Sequence, residues 1–243
     1  MTKIVGVIPA RYASSRFPGK PLIDLKGKSM IQRVYEGASN STKLNRVIVA
    51  TDDQRIYDHV TGFGGEAMMT SDEHTTGTDR CGEVAKNLDC DIVLNIQGDE
   101  PLVDPKQLDQ LCAAFSDEAV EIATLGIKQV TQHDLQNRNR IKLICDVNED
   151  AIYFSRGNIP NAENAPQEAD SFPYMRHIGL YAYRAKTLAE LVALEPTKIE
   201  RIESLEQLRW LYHGYKIRVV ETDIETPNID VPEDVEKVLE HLK

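Results

Sequence analysis

The sequence is short of several things, and each shortage closes off a class of protein. No apolar run approaches the roughly 20 residues needed to cross a bilayer. The first nine residues, Met1 to Pro9, are too short for the apolar segment of a signal peptide, and Arg11 arrives before any cleavage-like site. Cysteine is scarce: Cys81, Cys90, Cys112 and Cys145 form no C-x-x-C pair, so a disulfide framework or a clustered zinc site is not expected. The pattern predicts four reduced thiols serving as small hydrophobes in a cytoplasmic protein. Positive charge is also in deficit. Lys plus Arg number 28 against 39 Asp plus Glu, a net charge of −11, which argues against nucleic acid or an anionic membrane as the main partner. No internal repeat, low-complexity tract or flexible linker is evident.

What is present is an ordinary globular composition, 41% hydrophobic and 28% charged, in 243 residues. That length suits one large domain able to bury its own core. Val/Ile-rich runs at Ile4–Ile8, Arg46–Ala50 and Asp91–Ile96, with a short strand expected at Glu66–Met69, alternate with amphipathic stretches at Met30–Ala38, Gln54–Val60, Asp79–Asn87 and Pro105–Phe115. Continuous runs of this kind predict a mostly parallel sheet with helices on both faces, an α/β fold. The second half is less regular. Strands are predicted at Ile141–Val147, Ile152–Phe154, His177–Tyr183 and Lys216–Val220, and helices at Lys186–Leu194, Ile202–Tyr212 and from Val231 onward. Asn158–Tyr174, rich in Pro, Asn, Ala and acids, reads as an exposed excursion. Residues 129–185 are expected to form a small inserted lobe, for sugar binding or dimerisation, within a single domain spanning 1–243.

The first strand runs into Pro9-Ala10-Arg11-Tyr12-Ala13-Ser14-Ser15-Arg16-Phe17-Pro18-Gly19-Lys20-Pro21. Three cations, two hydroxyls and a glycine at the carboxyl edge of a sheet suit a polyphosphate, or else form a solvated basic loop. It is not a Walker A loop, because Pro21 follows Gly19-Lys20. Gly62-x-Gly64-Gly65 precedes a strand and reads as a turn rather than a dinucleotide fingerprint. Gln97-Gly98-Asp99-Glu100-Pro101 ends another strand. Asp99 could be a plain turn residue. A carboxylate facing a triphosphate loop is otherwise reconciled with phosphate by a cation, and Mg²⁺, which takes one or two carboxylates plus phosphate oxygens, is the natural bridge. Asp230 precedes a helix and could be its N-cap.

The segment Ile8–Pro21 resembles the signature of the 3-deoxy-D-manno-octulosonate (Kdo) cytidylyltransferase family. The similarity continues in order through Val49-Ala50-Thr51-Asp52, Gly77-Thr78-Asp79-Arg80, Asn95–Pro101, Tyr153–Arg156, Arg176–Tyr181, Ser204–Arg209 and Ile229–Asp234. It implies a Rossmann-like nucleotide-diphospho-sugar transferase fold. It also implies a cytoplasmic homodimer that makes CMP-Kdo and pyrophosphate from CTP, Kdo and Mg²⁺ for lipopolysaccharide synthesis. By the same resemblance, Ala10, Arg11, Ser14, Arg16, Lys20, Gly77 and Arg80 would bind the nucleotide. Gln97, Arg156, His177, Glu206 and Gln207 would bind the sugar acid, whose carboxylate calls for Arg or His. Asp99 and Asp230 would hold the metal, and Arg11, Lys20, Asp99 and Asp230 form the catalytic set.

Val231 stands where relatives commonly carry Thr, removing a hydroxyl beside Asp230. The excursion at 158–171 could shape the pocket for a modified sugar such as the 8-amino analogue. The alternatives are a cytidylyltransferase for a nonulosonic acid, whose first loop is usually richer in Gly, Ser and Lys, and a sugar-1-phosphate nucleotidyltransferase, whose loop is Gly-rich. A catalytically silent nucleotide-binding paralogue is the reading from another class, but it predicts a lost cation or a lost Asp.

Overall fold

Alternation along the first strand sets the layers of the molecule. The computed structural model describes residues 2–13, 17–128, 130–169 and 171–242. Strand β1 (Ile4–Ala10) turns Ile4, Ile8 and Ala10 into one core and Val5 and Val7 into the other. Strand β2 (Arg46–Thr51) divides in the same way, Val47 and Val49 against Ile48 and Ala50. A strand apolar on both faces can be satisfied only by helices on both sides, as the sequence pattern predicts.

Helices α1 (Met30–Ser39), α2 (Gln54–Gly62) and α4 (Pro105–Ala113) cover the first face. Helices α3 (Gly77–Lys86), α7 (Ala185–Leu191) and α9 (Gln207–Tyr212) cover the second. Their starts are encoded locally. Ser29, Asp53 and Asp104 cap α1, α2 and α4 through side-chain oxygens, and Pro105 occupies the first turn of α4.

The remaining strands are β3 (Ala67–Met69), β4 (Ile92–Asn95), β5 (Ile122–Ile127), β6 (Lys142–Cys145), β7 (Ala151–Ser155), β8 (Met175–Arg184) and β9 (Arg218–Glu221). The sheet order is β3-β2-β1-β4-β8-β5-β9, with the β6–β7 hairpin attached to β8. All neighbours along this path are parallel except β8, which is antiparallel to both β4 and β5. The chain order reverses between β1 and β4, so the crevice at their carboxyl ends is where an α/β sheet of this type takes its ligand.

Three features depart from the sequence pattern. β8, which the pattern assigns to the inserted lobe 129–185, lies inside the main sheet, with Asn95 opposite Tyr181 and Leu94 opposite Ala182. β5 is a strand the pattern does not announce. All six of its residues are buried, and Ala123, Thr124 and Gly126 give it neither alternation nor a strong apolar run. The single helix expected over Ile202–Tyr212 is two, α8 (Lys198–Glu203) and α9, broken at Ser204, whose φ of +52° is left-handed. Short helices α5 (Gln132–Gln136) and α6 (Pro166–Ala169) decorate the peripheral segment, and α10 (Asp234–His241) closes the chain. Gly64, at φ +84°, forms the expected turn, and all four cysteines are free, with Cys81 and Cys112 buried. No helix among the described residues is long and apolar enough to cross a membrane.

Candidate active site

The crevice between β1 and β4 is first a backbone surface. Gly98 follows β4 and lies against Pro9: a Cβ there would sit 2.7 Å from the Pro9 carbonyl oxygen, so only glycine lets the two chain segments touch. Gly77 opens α3 against the Pro9 ring and Asn95. The α3 start is a capping box built from Thr76 and Asp79. Thr78 is thereby available to donate its hydroxyl to Glu206 Oε2 at 2.7 Å. The resulting cleft encloses about 390 Å³, and Ala10, Arg11, Lys20, Gly77, Arg80, Gln97 and Asp99 all line it. Seven residues singled out from sequence thus share one wall. Ser14 and Arg16 lie outside the described residues.

The charges in this cleft are arranged in pairs. Lys20 Nζ donates to Asp99 Oδ2 at 2.9 Å and to the Ile229 carbonyl at 2.8 Å. The Ile229 N–H donates in turn to the Asp99 carbonyl at 2.9 Å, so the segment that carries Asp230 is tied by its backbone to Asp99. Asp230 is not the helix cap that its sequence position allows. Its backbone N–H donates to the Asp234 carboxylate, and the residue at the N-cap of α10 is Glu233. The Asp99 carboxylate is thus held by Lys20, while the Asp230 carboxylate accepts from Asn228 Nδ2 at 3.1 Å.

Arg80 departs furthest from expectation. Its side chain is wholly buried, and Nη1 donates to Thr70 Oγ1 (2.6 Å) and the Ser71 carbonyl (3.0 Å) while Nη2 donates to Asp52 Oδ2 (2.5 Å). An arginine held in this way shapes the wall more than it offers charge to a ligand. Asp52, whose family block Val49-Ala50-Thr51-Asp52 implies no role for it, also faces Arg11 Nε at 3.7 Å. The signal that could have found it is simple: an acid directly after a buried strand, at the same sheet edge as the basic loop.

Of the residues assigned to a sugar acid, Gln97 follows β4 and lines the cleft, Arg156 follows β7, His177 lies on β8, and Glu206 and Gln207 open α9. Gln97 Nε2 donates to the Gly179 carbonyl at 2.8 Å, tying the end of β4 to β8. His177 packs edge-on to Phe154 with ring centroids 5.1 Å apart, and its Nε2 meets Thr124 Oγ1 at 2.9 Å. Burial, with the Arg176 charge adding to it, pushes its pKa down to about 3. At neutral pH His177 therefore offers a hydrogen bond and not the positive charge expected for a carboxylate. Burial also raises the Glu206 pKa. Arg156 is half-buried, and its guanidinium donates to the carbonyls of Glu203, Arg138 and Ser204 at 2.8–3.2 Å. Gln207 is buried in the first turn of α9.

Glu100, next to the expected metal ligand Asp99, has a different environment. It is buried beside Asp99 and accepts from Thr226 Oγ1 at 3.1 Å. Desolvation, reinforced by the Asp99 charge, raises its pKa to about 7.

A family model of cytidylyltransferases matches residues 5–217. The chain is 48% identical to a 3-deoxy-manno-octulosonate cytidylyltransferase of Parabacteroides distasonis, over 100% of this chain and 99% of that protein. It is 49% identical to the protein of the same name from Bacteroides thetaiotaomicron, over 99% and 98% of the two chains. Among solved structures, a CMP:2-keto-3-deoxy-manno-octonic acid synthetase complexed with CTP superposes with a TM-score of 0.93 at 42% identity, covering 99% of this chain and 98% of that one.

Proposed function

Because the chain belongs to the 3-deoxy-manno-octulosonate cytidylyltransferase family, we propose that its cleft joins CTP to Kdo, releasing pyrophosphate and forming CMP-Kdo. The observation that carries this reading is the convergence of Arg11, Lys20, Asp99 and Gly98 on one cleft at the β1/β4 switch point. The same reading carries a role in lipopolysaccharide synthesis, a cytoplasmic location and a homodimeric assembly.

The reaction is attack by the anomeric hydroxyl of the sugar acid on the α-phosphorus of CTP, with pyrophosphate leaving in line. Charge builds on the departing phosphates, so preorganised cations aimed at them lower the barrier. Arg11 is about half exposed on the cleft wall with only the 3.7 Å ion pair to Asp52, whereas Lys20 is fixed by two acceptors. Gly98 and Gly77 let backbone approach the nucleotide closely, and the N–H groups of the first turn of α3 point at its start. On the sugar side, neutral His177, Gln97, Glu206 and Gln207 suit hydroxyl recognition.

A divalent cation fits the acids present. Asp99 and Asp230 are hard oxygen donors on segments linked by the Ile229–Asp99 backbone hydrogen bond, and Mg²⁺ commonly takes one or two protein carboxylates, leaving its other positions to phosphate and water. Among the described residues no group of three or more His, Cys, Asp or Glu is arranged to hold a metal, so phosphate oxygens and water would have to complete the coordination of such an ion. Bound there, the cation would supply Lewis acidity and offset triphosphate charge.

The test is pyrophosphate release from the purified protein with Mg²⁺, each of the four nucleoside triphosphates, and Kdo, its 8-amino analogue or N-acetylneuraminate. Release with CTP and Kdo is expected. Binding of CTP without release from any sugar acid would replace this reading with that of a silent nucleotide-binding protein. Asp99→Asn is expected to cut turnover by about 10²–10³, the usual effect of removing one preorganised electrostatic group. Near-wild-type turnover of that variant at saturating Mg²⁺ would remove Asp99 from the metal set.

A further inference from the structure

The carboxyl end of β2 carries two adjacent acids, Asp52 and Asp53, that the chemistry above does not use. Both reach the stem of the basic loop. Asp52 Oδ2 accepts from the buried, immobile Arg80 and faces Arg11 Nε at 3.7 Å. Asp53 caps α2 and grips Arg55 in a bidentate pair, Nε to Oδ1 at 2.9 Å and Nη2 to Oδ2 at 2.6 Å. The Arg55 guanidinium holds the Asp53 carboxyl below the usual range for an aspartate. Arg55 in turn lies flat on the next loop residue: its guanidinium carbon is 3.3 Å from the Tyr12 ring centroid. Tyr12 closes the loop, because its carbonyl accepts from the Gly19 N–H at 2.9 Å and Gly19 turns back at φ +74°.

Resting on the reading of the cleft as a CTP site, we infer that Asp52, and Asp53 through Arg55, are positioning residues that clamp the stem of the basic loop and so set the affinity for CTP. The loop concentrates Arg11, Arg16 and Lys20 within ten residues, and like charges repel in the absence of a fixed frame. Asp52 gives Arg11 a counter-charge anchored to a cation that cannot move. Arg55 clamps the neighbouring residue by a planar stack whose orientation the bidentate fork fixes. A loop fixed at residues 11, 12 and 19 has less freedom to lose when a triphosphate binds, and that saving goes into affinity without changing the chemical step.

Arg55 is exposed and remote from the reacting atoms, so Arg55→Ala is expected to fold normally. We expect it to raise KM for CTP about fivefold, in line with a cation–π contact near the surface, with kcat and KM for the sugar acid unchanged. Asp52→Asn keeps an acceptor for Arg80 but loses the charge, and is expected to raise KM for CTP about tenfold. The double variant should fall short of the product of the two, since both act on one stem. Arg55→Lys keeps the charge but not the stack, and is expected to stay near the Arg55→Ala value. The CTP dissociation constant, measured by calorimetry, should move with KM. Unchanged CTP affinity in both single variants would overturn the inference. So would full rescue by Lys, or a loss spread equally over kcat and both KM values in step with a lowered melting temperature. If the wild-type protein binds CTP but releases no pyrophosphate, the proposed reaction fails, and the dissociation constants still decide the clamp.

Discussion

At Glu100 a carboxyl has been carried into the protein beside another carboxylate, and pH will expose the consequence. Its pKa is raised from an ordinary glutamate value to about 7, chiefly by desolvation. Between the unfolded value and 7 the folded state holds a proton that the unfolded chain has released. The contribution to stability is therefore fully present below about pH 4.5 and is lost as pH rises through 7. Glu100→Gln, neutral at every pH, is expected to flatten this part of the profile, reducing the fall in urea-unfolding free energy between pH 5 and pH 8. An identical fall in the variant would mean that Glu100 is already ionised at pH 5. His177 works in the opposite sense: its lowered pKa costs stability as pH drops from 6.5 toward 3, so the two residues leave separate marks on one curve. Neither shift could be foreseen from sequence, where Glu100 is one acid among 39 Asp and Glu. Arg80 teaches the same lesson. Its type and position are visible in Gly77-Thr78-Asp79-Arg80, but the quenching of its charge by Asp52, Thr70 and Ser71 depends on how the ends of β2 and β3 fold against α3.

Among the elements, the break between α8 and α9 matters most to the sugar side. The sequence from Ile202 to Tyr212 is apolar at helical spacing, and local periodicity favours one helix. Tertiary packing interrupts it. Glu203 turns back to accept from Ser155 Oγ and the Arg156 N–H at 2.8 and 3.0 Å, while Glu206 faces Thr78. A single straight helix could not place both acids, three positions apart, on different neighbours in this way. Ser204 bears the left-handed turn at a cost that glycine would avoid. Ser204→Gly is expected to stabilise the protein by about 0.5–1 kcal/mol, read as a raised urea midpoint with turnover retained. Destabilisation would show that the serine side chain contributes more than its backbone costs. The strand β5 is the counterpart among strands: fully buried and rich in small residues, it is recognisable only by its neighbours β8 and β9.

At the scale of the molecule, the segment after β9 straps the site together. Gln107 Nε2 donates to the Ile224 carbonyl, Glu225 pairs with Arg140 and Arg176, Thr226 meets Glu100, and Ile229 bridges Lys20 and Asp99. The strap ends in α10, whose Val238 is wholly buried with Leu25, Met30, Ile229 and Leu242 in a small core of its own. That core is separate from the two that flank the sheet, so it can fail first. Val238→Asp places an unpaired carboxylate there, a change of several kcal/mol against roughly 5–15 kcal/mol for a whole domain. The expected result is early proteolytic loss of the C-terminal segment and at least about a tenfold drop in pyrophosphate release, with the sheet still folded by circular dichroism. Unaltered proteolysis and turnover would mean that the strap is held by its polar anchors alone.

The chain's order of residues already contained the α/β class, the position of the basic loop at a strand end, the close-approach glycine at Gly98 and the family signature, because each is a local pattern of period, turn chemistry or motif spacing. Folding added the antiparallel insertion of β8, the backbone tie between Ile229 and Asp99, the burial of Arg80 and the neutrality of His177. Those are properties of groups far apart in sequence, and their charge states follow from desolvation and from neighbours that exist only once the sheet has closed around them.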